Sequence, residues 1–185
     1  MIFASRRVAS QTALRVLREF ERAGLLTRGM LHTPIVLGAT TAHGKFVLGR
    51  RRSIVLPRVS VAGLVDKLRG GRTDLLRVLR HEYAHVLAYT SGQAVRRSPA
   101  FRRAFGADHD REARALYRKD CPSRYAMENP AEDFAECVEL YLRSNGEVRR
   151  FAARPELRRK MSFVRSLRTK IRGVRLPSNY SPRTL

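Results

Sequence analysis

The sequence predicts an α+β fold, a small antiparallel sheet followed by a mostly helical part. Two observations predict it. Three short apolar runs between residues 35 and 57 are separated by glycines and polar residues, as strands are. Beyond residue 73, apolar residues recur at helical spacing in segments divided by Gly and Pro. At 185 residues and 43% hydrophobic content the chain buries one core. We therefore expect a single domain over 1–172, with its central part over about 35–145, a basic helical part over 146–172 and an extended tail over 173–185.

Taking the elements in order, residues 7–23 place Val8, Leu14, Leu17 and Phe20 near one helical face, and Gly24 is a stop signal. Ile35-Val36-Leu37, Phe46-Val47-Leu48 and Ser53-Ile54-Val55-Leu56 read as the strands, the last ending at Pro57. Arg50-Arg51-Arg52 falls in a turn or on a solvent-facing edge. Val61 to Leu68 reads as a short helix closed by Gly70-Gly71. Thr73 or Asp74 then caps a helix whose apolar surface comes from Leu75, Leu76, Val78, Leu79, Val86 and Leu87, and which Gly92 ends.

Ser98-Pro99 starts a helix that stops at Gly106, and residues 110–119 read as a charged helix. Cys121-Pro122-Ser123 is a break. Asn129-Pro130 is a start signal for a helix reaching about Ser144, with Asn145-Gly146 as its stop. A basic helix follows over Pro155 to Lys170. The tail from Gly173, with Pro177 and Pro182, reads as extended or disordered.

A formal charge of +22 points to a polyanionic partner, nucleic acid first. Most of the excess is arginine, whose planar fork matches phosphate oxygens. An arginine-favouring codon usage gives the same composition. The candidate contacts are Arg50, Arg51, Arg52, Arg149, Arg150, Arg158, Arg159 and Lys160. Residues 1–18 share the basic, acid-free composition of organelle transit peptides, but the same richness runs through the whole chain and favours a basic surface helix. Cys121 and Cys137 are too few for a disulfide framework and fit a reducing compartment or a virion interior. No apolar run approaches the roughly 20 residues that span a bilayer, and no secretory signal is expected.

One stretch breaks the basic pattern. Between residues 121 and 140 the only base is Arg124, against Glu128, Glu132, Asp133, Glu136 and Glu139. Codon usage does not explain that contrast, so these carboxylates are expected to have a local task.

The segment His81-Glu82-Tyr83-Ala84-His85 supplies the task. Residues four apart on a helix share a face, so two imidazoles converge on one zinc ion. Glu82, next to the first ligand, reaches a water at the metal, the general-base arrangement of His-Glu-x-x-His metallopeptidases. Two histidines making ordinary hydrogen bonds give the same spacing. A catalytic zinc needs a third ligand, for which His109 and the acids of the island are the candidates. The three-histidine form is absent, since Ala88 and Ser91 occupy its positions, so a carboxylate on a second helix is expected. Glu132 and Glu136 are four apart and can supply a ligand and an acceptor that orients a histidine ring. Glu128 and Glu139 are expected to be solvated.

Together with Tyr125-Ala126-Met127-Glu128-Asn129-Pro130-Ala131-Glu132-Asp133-Phe134-Ala135-Glu136, the motif resembles the catalytic domain of anthrax lethal factor and similar bacterial zinc peptidases. The likeness spans roughly residues 70–145. It implies a zincin-like metallopeptidase domain, one zinc ion held by His81, His85 and Glu132, and Glu136 behind a ligand. It also implies that Tyr125 hydrogen-bonds the oxyanion or the leaving amine. The expected activity is peptide hydrolysis with Glu82 as base, in a nucleic-acid-rich setting, on a protein or peptide substrate paired to a strand such as Ser53–Leu56. The alternative is an arginine-rich structural component of a ribosome or virion built on the same fold.

Overall fold

The computed structural model describes residues 5–38, 44–48, 52–57, 75–111 and 120–185, and within them the protein is a mixed α and β fold. Helix α1 (Arg6–Arg22) starts at Ser5, whose hydroxyl accepts a hydrogen bond from the Val8 amide, and ends as Gly24 takes a φ of 68°. Its buried stripe is Ala9, Ala13, Val16, Leu17 and Phe20. Val8, expected on this face, is 44% exposed: it lies one residue, about 100° of helix, away from Ala9. The short α2 (Arg28–Leu31) abuts the next long helix so closely that a Cβ on Gly29 would lie 2.1 Å from Thr90 Cγ2.

Strands β1 (Ile35–Gly38), β2 (Lys45–Val47) and β3 (Ser53–Pro57) form one sheet in the order β1-β3-β2. β2 and β3 run antiparallel, but β1 and β3 are parallel, so the sheet is mixed and not the expected antiparallel one. Ile54-Val55-Leu56 is a continuous apolar run, the pattern of an interior strand. With both edges of β3 paired, Ser53–Leu56 is not available to a substrate. Among the described residues, the outer edge of β2 is unpaired.

The tail is extended, as expected, and docked. The Ile35 amide donates to Arg183 O at 2.8 Å and the Leu185 amide to Ile35 O at 2.8 Å, a parallel bridge on the free edge of β1. The Tyr180 hydroxyl donates to Leu31 O at 2.7 Å, and the Leu176 amide to Glu21 Oε1 at 2.8 Å.

Helix α3 (Leu75–Thr90) lies at the centre. Its Tyr83 ring meets Phe20 of α1 edge-on at 6.3 Å, and its Tyr89 ring lies 5.6 Å from Phe46 of β2. After a single turn, α4 (Gln93–Arg96), comes α5 (Pro99–Phe105), capped by Ser98 and ended by Gly106 at φ 83°. Helix α6 (Pro130–Arg143) packs across α3 and stops at Asn145 (φ 52°) and Gly146 (φ 77°). Helix α7 (Pro155–Lys170) closes the core through Phe163, which joins Phe101, Phe105 and Phe134 in an aromatic cluster between α5, α6 and α7. The helix expected over 61–68, the cap at Thr73 or Asp74, most of the helix expected over 110–119, and Arg50 and Arg51 lie outside the described residues. No described helix is long and apolar enough to cross a membrane.

Candidate metal centre

Two helices build the site. The apolar faces of α3 hold it against α1 and α6, which leaves His81 and His85, one turn apart, on the side that faces α6. On α6 the side chain of Asn129 accepts from the Glu132 amide at 2.9 Å, so the first turn, and Glu132 with it, is held rigidly.

His81 Nε2 lies 3.1 Å from His85 Nε2 and 3.0 Å from Glu132 Oε2, and His85 Nε2 lies 3.4 Å from the same oxygen. These three ligand atoms lie within 4.8 Å of one another, the one such group among the described residues. On its far side His81 Nδ1 is 3.1 Å from Glu136 Oε1, and Arg77 donates to Glu136 Oε2 at 3.2 Å. An ionised carboxylate only accepts, so Nδ1 donates to Glu136, and a neutral ring would turn its Nε2 lone pair toward Glu132. Two imidazole nitrogens and a carboxylate oxygen thus turn electron pairs toward one point, an arrangement that a cation satisfies. The donor set fits a metal ion. With no cation, a proton takes its place: burial works against the charged His81 ring, but Glu132 and Glu136 outweigh it and raise its pKa to about 10. Glu132 and Glu136 are correspondingly held low, against burial, by the histidines.

Glu82 is 5% exposed and lies under β2, close to the Phe46 backbone and to Gly44. Burial pushes its carboxyl up, and His81 and His85 pull it back. A Cβ on Gly44 would sit 3.2 Å from Glu82 Oε1 and 2.6 Å from Val78 Cγ1, so glycine is what lets the strand approach the carboxylate. Tyr125 lies in a 3₁₀ turn (Tyr125–Met127) just before α6, with its ring 5.7 Å from that of His81. It is 47% exposed, and its phenol lies near the Glu132 carboxylate. Burial, then Glu132 and Glu128, raise its pKa, which keeps it a proton donor at neutral pH.

The structure therefore brings together His81, Glu82, His85, Tyr125, Glu132 and Glu136. His109 is not part of the group: it is 2% exposed, hydrogen-bonds Asp110 through Nδ1 at 3.0 Å and packs on Phe101 and Phe134. Glu128 is exposed as expected, but Glu139 is 1% exposed, 3.7 Å from both Arg80 and Arg143, because its helix face turns to the core. The sequence reading did not place Arg77, Phe46 or Gly44 beside the site. Arg77 alone had a legible signal, its position four residues before His81 on the same face.

Of the residues expected to meet a polyanion, Arg52, Arg149, Arg150, Arg158 and Arg159 are exposed, with Arg150 paired to Glu147 and Arg159 to Glu156. Lys160 is not available. It is 4% exposed, with Nζ 2.5 Å from Asp133 Oδ2 and 2.6 Å from Asp120 O. It shares the buried face of α7 with Leu157, Met161, Val164 and Leu167. Cys121 and Cys137 are free, buried, and contact the same Asp133.

In comparisons with known proteins, no family model, no curated protein and no solved structure matches the chain.

Proposed function

We propose that the protein is a zinc-dependent peptidase of zincin type, similar in its site to the lethal factor-like enzymes. The observation that carries the reading is the convergence of His81, His85 and Glu132 beside a buried carboxylate, Glu82, and a phenol, Tyr125. A purely structural metal site has no use for the last two. Two imidazoles and one carboxylate are the ligand set of catalytic zinc, which leaves a coordination position open.

Bound zinc supplies Lewis acidity toward a peptide carbonyl. The chain's own groups do the rest. Glu82, made more basic by burial, accepts the proton of the attacking water and later passes it to the leaving amine. Tyr125 donates a hydrogen bond to the oxygen on which charge develops. Glu136, held by Arg77, fixes the ring of His81. The unpaired edge of β2, next to Glu82, offers backbone groups to an extended peptide.

The test is metal analysis followed by a peptide-library comparison of the native protein with Glu82→Gln. Zinc near one per chain and cleavage lost in the variant are expected. Absence of zinc, or equal cleavage by both, defeats the reading. The +22 charge favours a second reading, a structural part of a nucleoprotein assembly on the same scaffold, which predicts a stable zinc-loaded protein without cleavage.

A further inference from the structure

A cavity of about 320 Å³ opens where α1, α6 and α7 end, and it shares no residue with the metal centre. Arg22 comes from the end of α1, Arg165 and Arg168 from the last turns of α7, and Asn145 and Gly146 from the turn after α6. All three arginines are exposed, and none makes an ion pair among the described residues.

The one acid in the lining does not cancel them. Glu19 accepts two hydrogen bonds from Arg80, at 2.6 and 3.0 Å, and sits 3.8 Å from Arg15, so its charge is already neutralised from behind. The cavity wall therefore carries three uncompensated positive charges. Helix C-termini carry about half a negative charge each, enough to hold like-charged guanidiniums close without cancelling them. Arg168 is held across the turn at Gly24, where an added Cβ would meet its Nε at 3.2 Å. Arg168 thus lies against the backbone turn that ends α1.

Forked donors from two helices, beside the Asn145 amide, suit the oxygens of a tetrahedral anion. The volume is that of a small-ligand site, larger than one lone guanidinium contact requires. We propose that Arg22, Arg165 and Arg168 form a phosphate-binding pocket through which the protein grips the phosphodiester backbone of a nucleic acid. The proposal stands apart from the peptidase reading, since it needs neither metal nor Glu82.

The test is fluorescence anisotropy of labelled duplex DNA, single-stranded DNA and single-stranded RNA, titrated with the full-length protein over a range of salt. R22E/R165E/R168E is compared with R97E/R103E/R111E, a surface variant of equal charge change. The pocket variant should bind at least about tenfold more weakly and lose about three from the slope of log K against log salt, while the control keeps the native slope. If the reversal unfolds the chain, R22Q/R165Q/R168Q should give the same loss of slope. The three probes show which nucleic acid the pocket prefers. Equal weakening in both triple variants overturns the proposal, because net charge alone then accounts for binding. Nucleic-acid binding retained at native strength in the pocket variant overturns it too.

Discussion

His81 Nδ1 and Glu136 Oε1 lie 3.1 Å apart, with Arg77 on the other oxygen of the same carboxylate. This contact decides which nitrogen of His81 carries the proton and therefore which faces Glu132. Glu136→Ala should weaken zinc binding by about 10- to 100-fold while leaving the fold intact, measured by competition with a chromophoric chelator. Glu136→Gln, which keeps an acceptor for Nδ1, should recover part of the loss.

On the proposed zinc reading, metal and proton compete for His81. In the metal-free protein its pKa is raised from 6.5 to about 10. A group raised on folding stabilises fully below its unfolded pKa, and that contribution disappears as pH climbs through the folded value, here between 6.5 and about 10. The metal requires the neutral ring. Zinc should therefore raise the melting temperature more at about pH 9 than at about pH 6, with affinity changing by about tenfold per pH unit for each displaced proton. A pH-independent thermal shift would remove His81 from the ligand set.

Tyr125→Phe removes one donor near the developing oxyanion and leaves the metal ligands untouched. A loss of about 10²- to 10³-fold in kcat with zinc content unchanged is expected. A change in KM alone would make Tyr125 a binding residue.

Gly44→Ala tests the approach of β2 to the base. The new methyl would press on Val78 and Glu82 and move the strand away from the carboxylate. Peptide cleavage should fall several-fold while zinc stoichiometry stays at one, since no ligand lies on β2.

Lys160 and Asp133 form a buried pair, 4% and 3% exposed. Lys160→Met leaves the Asp133 carboxylate uncompensated and should cost about 3–5 kcal/mol in denaturant unfolding. The double variant K160M/D133L should be more stable than the single one. Nucleic-acid affinity should not change beyond what unfolding explains, because Nζ faces the core.

Local signals in the chain were enough to specify the long described helices and the spacing of the candidate ligands. Gly24, Ser98, Gly106, Asn129 and Asn145-Gly146 act through their own backbone geometry, so their neighbours in sequence suffice to place them. The spacing of His81 and His85 on one helix face, and of Glu132 and Glu136 on another, is equally local. What the chain alone did not determine was set by packing between distant segments. Which strand is interior depends on β3 pairing with both β1 and β2, and on the tail reaching the edge of β1 from 150 residues away along the chain. Lys160 and Glu139 read as solvated charges until α6 and α7 bury them with partners, since charge pairing across elements has no sequence period. The candidate metal centre joins both kinds of information: each helix carries its candidate ligands by local spacing, and only the crossing of α3 with α6 brings Glu132 to within 3.0 Å of His81.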